Sequence, residues 1–379
     1  MGERWIAQRA LTGEFLHWDV PVSGFPSHAL SASSSLVFRL EPEVASLVSL
    51  DDLLVLEPWG SFLYHEVDEQ IEWAGVVTGN EWLGATYEVT VESFGRYPHG
   101  MPWLGNFVGV DTDPANIVRY IWQVLQRRPD ADLGVAVVGQ TSARLGTLSS
   151  ERAREAKRVE DAARKRVDEA RKAQSAAKDA AEREAARKVT DARRAELTKA
   201  QDARRAADEA EREDGGEYRF DWWDNDDCGR EIDRLAAEAP FDWVEEHAWN
   251  SDRSDVTHRV RVADRIGVRR TDLKFALGEN VVEAVPFLID GDWVANEVIG
   301  VGAGEGAKAL RETSAVRDGR LRRIALIDWK DVRSRSRLQA LVRGEQRTRA
   351  MGQLAVEQIV VQADHPHAPV GSWGVGDEI

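Results

Sequence analysis

Three short stretches of this chain carry side chains whose types and spacing could do chemistry. Gly302, Gly304 and Gly306, followed by Ala307, fit the loose G-x-G-x-x-G/A pattern after a strand-like run, with Asp328 at a plausible ribose-binding distance. A dinucleotide site uses such glycines for a tight turn and close phosphate approach, and then needs a helix aimed at the pyrophosphate. The residues that follow, KALRETSAVRDG, are few, charged and without an apolar face. The stretch therefore reads as a mobile glycine-rich connection between strands, in which Gly302→Ala should be tolerated. The run Asp224, Asn225, Asp226, Asp227, Cys228, Gly229 resembles the opening of a calcium loop. Cys228 replaces an oxygen ligand at its fifth position, however, and Leu235 stands at the twelfth, where a bidentate Glu is required. An acidic turn capping a helix over Glu231–Glu238 is the better reading. His365 and His367 in ADHPHAP are metal-ligand types, but no third ligand lies at a telling spacing, so they read as surface-loop histidines. Carboxylates are abundant, yet none falls into a nucleophile–base pair or an H-E-x-x-H arrangement. The sequence thus assigns no catalytic, cofactor-binding or metal-ligating residue, and the expectation is a protein that is not an enzyme.

The elements around these stretches are easier to read. Residues 151–214 hold no Gly or Pro, 19 Ala, 19 Lys/Arg and 17 Asp/Glu. Acid-before-base pairs four apart, such as Glu160 with Arg164 and Glu184 with Lys188, each support a helix by a few tenths of a kcal/mol. Ser149 and Ser150 supply an expected N-cap, and Gly215 and Gly216 an end. A straight helix of this length would run ~96 Å, whereas the flanks Gly139–Ser150 and Gly215–Tyr218 could stretch only about 55 Å together. Val159 and Val167 mirror Val189 and Leu197 about position 178. Both points favour an antiparallel hairpin with its tip near Gln174–Asp179, a continuous helix bridging two domains being the alternative.

The first 137 residues read mostly as strands. IEWAGVVTG and EWLGATYEVTVESFG are expected to form a hairpin across a Gly-Asn turn signal, as part of a small barrel. Asp113-Pro114 opens a helix with Ile117, Ile121, Trp122 and Leu125 on one face, and LGVAVVG reads as a buried strand. THRVRVA, DLKFALGEN, VVEAVPFLIDGDWVANEVIGV and RLRRIALIDW read as strands. SRSRLQALVRGEQRTRAMGQLAVEQIVVQAD reads as a helix and then a strand. The fold class is α+β: β-rich, barrel-like domains with α/β elements and a long charged helical-hairpin insertion.

Net charge is −16, and removing the near-neutral 151–214 segment leaves 31 basic against 49 acidic residues, a net of −18. Extensive contact with nucleic-acid phosphates is disfavoured. The aromatic clusters Trp222-Trp223, Phe241, Trp243 and Trp249 therefore read as core or interface anchors, not base-stacking platforms. One cysteine, Cys228, excludes a disulfide framework. No run of about 18 apolar residues and no basic-then-apolar leader is present, which leads to the expectation of a cytoplasm-like compartment and no membrane-spanning segment.

IEWAGVVTG, DTDPANIVRYIWQVLQRRPDADLGVAV, FDWVEEHAW, HRVRVADRIGVRRTDLKFALGENV and the closing HPHAPVGSWGVGDEI together resemble, in order and composition, the tail-hub minor tail proteins of long-tailed phages infecting actinobacteria. The likeness spans nearly all of the chain except 149–216. It implies a homotrimer of chains with two small barrel-like domains each, meeting the distal tail protein ring and the tape measure protein on one side. On the other side it carries the central tip or fibre proteins. The implied location is the virion, at the tail tip, after assembly in the host cytoplasm. The implied division is an N-terminal hub domain over 1–111, a connecting domain over 112–148 plus 217–254, the arm over 149–216, and a C-terminal hub domain over 255–379. The resemblance brings no catalytic residue. The arm, foreign to the family pattern, would touch a neighbouring chain, another tip protein or the host envelope, or serve as a solvated spacer.

Overall fold

The computed structural model describes residues 2–49, 52–224, 227–284, 293–330, 332–350, 359–362, 365–369 and 371–378. Its N-terminal part is one six-stranded sheet built from β1 (Glu3–Arg9), β2 (Phe15–His17), β3 (Ser35–Leu40), β4 (Ser61–Val67), β5 (Gln70–Leu83) and β6 (Thr86–Ser93), with a one-turn helix, α1 (Pro42–Ala45). The strand order is β2-β1-β4-β5-β6-β3. The outer strand β3 alternates exposed and buried residues, as a strand with one wet face should. The central strand β4 is buried residue after residue. Two different cores explain this. Trp5, Ala7, Leu63, Trp73 and Val77 pack with Phe38, Val89 and Val91 on one face. Ile6, Phe62, Tyr64, Ala74 and Val76 pack with the rest of the body on the other. A bulge where His65 pairs with Trp73 but Glu66 pairs with Ile71 turns the strand over at Glu72. Ile71 and Trp73, two residues apart, consequently serve opposite cores.

Two expectations are corrected here. Among the described residues the sheet is open: β2 and β3 end it on opposite sides and do not pair. The faces of the central strands are already covered, one by Val20, Ala45, Val55 and Leu56 and the other by the rest of the body, so closure into a barrel is not needed to bury them. The β5–β6 turn also lies at Gly84-Ala85, with Leu83 opposite Thr86 and Gly84 at φ 66°, and not at Gly79-Asn80. Gly79 instead sits in a second bulge within a continuous strand.

Chain order continues with β7 (Asn106–Gly109), α2 (Pro114–Gln126), β8 (Val135–Gln140), the arm helices α3 (Ser149–Ala176) and α4 (Ala180–Asp214), β9 (Tyr218–Asp221), α5 (Cys228–Glu238), β10 (Asp242–Trp249) and β11 (Val256–Ala263). Asp113 caps α2 by accepting from the Ala115 amide, and Ile117, Ile121, Trp122 and Leu125 are buried as the spacing requires. β10, β11 and β8 form a sheet, antiparallel then parallel, that shares the second core of the N-terminal sheet. β7 and β9 pair, so the strand that follows the arm is hydrogen-bonded to one that precedes α2.

The last part holds β12 (Val281–Ala284), β13 (Glu297–Val301), β14 (Arg311–Ala315), β15 (Ile324–Asp328), α6 (Arg335–Ala350) and β16 (Ile359–Val361). α6 buries Leu338, Leu341 and Val342 against the β14-β13-β15 sheet, and β12 pairs with β16. DLKFALGEN, expected as a strand, forms turns with one isolated bridge from Leu277 to Val281. Residues 285–292, within an expected strand, and 351–358, after α6, lie outside the described residues.

Candidate interaction surfaces

The arm is an antiparallel pair. At 1.5 Å per residue, α3 is about 42 Å long and α4 about 52 Å. Burial along α3 falls on Ala153, Glu160, Ala163, Val167 and Ala170, and along α4 on Thr190 and Ala200 with Leu197 half-buried between them. These positions are spaced by three, four or seven residues, the seam of two helices wound closely together. Alanine at half of them lets the backbones approach. Val159 and Val189 are half exposed instead of facing inward. Each lies eight residues before its partner in the seam, and eight steps of 100° leave it about 80° off the seam axis.

One charged group crosses the seam. Glu160 Oε2 accepts from Arg204 Nη1 at 2.8 Å and its Oε1 from Arg164 at 2.8 Å. The Arg204 bond is the main reason the Glu160 carboxyl sits below its usual pKa. This contact fixes the register, because stepping seven residues along each helix brings Val167 level with Leu197. At the tip, Asp179 accepts from the Glu182 amide while Glu182 accepts from the Lys178 amide, a reciprocal cap that starts α4.

The root holds both ends together. Ser149 Oγ donates to Asp214 at 2.6 Å, Ser150 Oγ accepts from the Glu217 amide at 3.1 Å, and Arg154 makes a two-pronged contact with Glu217 at 3.1 and 3.0 Å. The expected N-cap role of the two serines is corrected: Leu148 is the cap residue, and the serine hydroxyls tie the start of the arm to its end. Gly215 ends α4 at φ 84°, and a Cβ there would meet Ser334 Oγ at 1.9 Å. Ser336 donates to the Asp214 carbonyl at 2.7 Å, linking the root to α6. An open, polar cleft of about 540 Å³ beside the root is lined by Arg154, Asp214, Glu217, Arg333 and Arg337.

Arg337 clamps α6 to the body. Its guanidinium lies 2.7 Å from Glu238, donates to Tyr218 Oη at 2.9 Å, and stacks over the Tyr218 ring at 4.6 Å. Tyr218 in turn donates to the fully buried Glu231 at 2.6 Å. Burial pushes both the Tyr218 hydroxyl and the Glu238 carboxyl upward in pKa.

No protein-family model matches the sequence, and neither does a curated protein sequence. Solved structures do. The chain is similar to the 43 kDa tail protein of a prophage from Shewanella oneidensis, at 10% identity and a TM-score of 0.45, over 92% of this chain and 79% of that one. It is also similar to a tail protein from Neisseria meningitidis, at 9% identity and a TM-score of 0.42, over 89% and 74%. A third is an E. coli component of the type VI secretion system described as structurally similar to bacteriophage tail proteins, at 9% identity and a TM-score of 0.32, over 76% and 53%.

The stretches singled out for chemistry resolve as follows. The glycine-rich run joins the antiparallel strands β13 and β14, with only a three-residue 3-10 turn at Gly306–Lys308 where a dinucleotide site needs a helix. It is packed at its base. Gly302 N–H donates to the Leu310 carbonyl, Ala303 N–H to that of Val332, and a Cβ on Gly302 would lie 2.7 Å from the Val332 oxygen. Asp328 is exposed and pairs with Lys330 at 3.2 Å. In the acidic run, Asp227 caps α5 by accepting from the Arg230 amide, and also accepts from the Gly100 amide at 2.5 Å. Asn225 and Asp226 lie outside the described residues, and Cys228 is buried.

The aromatic clusters divide between core and surface. Phe241 and Trp243 are core. Trp222 and Trp223 are half exposed, edge to face at 5.6 Å. Trp249 stacks on the half-exposed Trp18 at 6.2 Å, beside Phe15 on the edge strand β2, with Arg4 and Arg253 over the two indoles. Nothing local marks Trp18 or Phe15 in the sequence as members of this surface. Their partner Trp249 is far away along the chain.

Sequence reasoning also missed a buried histidine pair between the two large sheets. His247 Nδ1 and His258 Nδ1 are 3.0 Å apart, and His258 Nε2 faces Tyr64 Oη at 3.4 Å. Burial first, and the neighbouring His247 second, lower the His258 pKa to about 3. Alternation in THRVRVA could have flagged His258, since it shares a face with Val256, Val260 and Val262. No helix among the described residues is long and apolar enough to cross a membrane.

Proposed function

We propose that this chain is a structural virion protein of a phage tail. In this reading it is a tail hub at the tip, linking the distal tail ring to the central tip or fibre and serving host attachment and genome delivery. The observation that carries the proposal is the arm. Its ends are tied to one root, it buries little beyond its own seam, and its length far exceeds what a core element needs. Such an element reaches a partner; it does not enclose a substrate. The order of sequence features that resembles tail-hub proteins supports the same reading, as do exposed aromatics on an acidic body, suited to anchoring protein neighbours.

The assembled form is a homotrimer in contact with the distal tail ring, the tape measure protein and tip or fibre proteins. The division into 1–111, 112–148 plus 217–254, 149–216 and 255–379 belongs to the same proposal. Image reconstruction of intact particles tests it, with three copies expected at the tail tip. Absence of the chain from purified particles overturns the reading, and a strict sixfold copy number overturns the trimer. Release of soluble fragments from peptidoglycan by the purified chain would favour a tail-associated cell-wall-degrading enzyme. Saturable NAD binding would favour a nucleotide-binding cytoplasmic enzyme.

A further inference from the structure

We propose that Glu279, His365 and His367 form a binding site for a divalent transition-metal ion of the zinc type. The fold brings Glu279 to a histidine pair far along the chain: one atom from each of the three side chains lies within 4.8 Å of the others. His367 Nδ1 is 2.8 Å from Glu279 Oε1, and the two imidazoles face each other at 4.9 Å with their planes 70° apart. Atoms bound to one tetrahedral zinc ion at about 2.0–2.2 Å sit roughly 3.3–3.5 Å apart. The His367–Glu279 pair therefore needs to open by about 0.5–0.7 Å.

The supports of the site are fixed by backbone contacts. Pro366, between the histidines, and Pro369, just after them, restrict the turn that presents both rings. Ala368 is buried beneath them. The turn is tied to the opposite loop by Lys274 N–H donating to the His367 carbonyl at 3.2 Å and Gln362 N–H donating to the Asn280 carbonyl at 2.9 Å. Buried Asn280 holds that loop in shape by accepting from the Ala276 amide and donating to the Lys274 carbonyl. Lys274 Nζ donates to Glu279 Oε2 at 2.7 Å, which keeps Oε1 turned toward His367. His365 Nδ1 accepts from the His367 amide at 3.2 Å, a contact that gives way when either ring nitrogen takes a metal ion.

Two imidazoles and one carboxylate are a borderline donor set that suits zinc and its neighbours; calcium and magnesium prefer oxygen ligands throughout. The ion would sit between His367 Nδ1 and Glu279 Oε1, in place of their direct contact. It would also clip the loop before β12 to the turn after β16. With three protein ligands and an exposed position, one coordination place is left for water or a donor from outside the chain.

Equilibrium dialysis of the untagged full chain against zinc chloride, with calcium chloride in parallel, tests the site. One zinc ion per chain is expected, with no stoichiometric calcium. Glu279→Gln and His367→Ala should each weaken zinc binding at least tenfold, and His365→Ala/His367→Ala should abolish it, with unchanged far-ultraviolet circular dichroism. The conservative His367→Gln serves if the alanine variant is poorly folded. Absence of stoichiometric zinc, undiminished uptake by the double variant, or equal uptake of calcium overturns the proposal.

Discussion

The N-terminal sheet and the arm solve the same problem, keeping a long element folded, by opposite means. β4 spends nearly every side chain on one of two cores, so its stability comes from distant parts of the chain. The arm commits about two residues in seven to its seam, half of them alanines, and leaves the rest to solvent and to charge pairs. A fully buried large apolar side chain contributes about 1.5–3 kcal/mol, and exposed ion pairs contribute little. The body should therefore unfold as a cooperative block, while the arm frays by itself.

The sharpest way to break that contrast is within the shared core. Trp103, nearly fully buried against Phe220 and Tyr120, should cost about 3–5 kcal/mol as Trp103→Ala, read as a lower denaturant midpoint of the body. Acid should follow. His258 is held neutral in the fold, with its pKa near 3, whereas an unfolded chain takes up that proton near 6.5. Because the unfolded state binds more protons between those values, stability is full above 6.5 and falls as pH drops toward 3, by up to about 1.4 kcal/mol per unit. A flatter pH profile in His258→Gln checks this. Gly302→Ala should cost about 1–3 kcal/mol, since the added Cβ meets backbone and not open space. Its thermal midpoint decides between the packed base described above and the tolerant loop its sequence suggests. The smallest effects belong to the arm. Val167→Asp should speed tryptic cleavage inside 160–204 with the body's midpoint unchanged, and Val159→Asp should alter neither the cleavage rate nor the midpoint.

The arm was the most legible part of the chain because its determinants are local. The absence of Gly and Pro, the alanine content and the glycines at its end do not depend on distant neighbours, and the observed tip falls inside the expected Gln174–Asp179 window. What local pattern could not supply was the seam itself, since Val159 stands out by residue type and yet misses the seam axis. The strands were legible by alternation, but their order was not. The pairing of β3 with β6 and of β1 with β4 is decided by long-range packing, and the expected barrel gave way to an open sheet covered on both faces. Likewise, His365 and His367 were visible as a pair. Glu279 was invisible beside them, because spacing along a chain says nothing about a carboxylate brought in by β12 and β16 pairing.

The tied root has a consequence for how such chains can diversify. Because Ser149, Ser150, Asp214 and Glu217 close the insertion on itself, the body meets the same two chain ends whatever lies between them. Adding one heptad to each helix would extend the arm by about 10 Å while returning the seam to the same side. The root thus works as a socket, and the hairpin plugged into it as a ruler graduated in heptads, whose span can drift from one lineage to the next without renegotiating a single contact in the body.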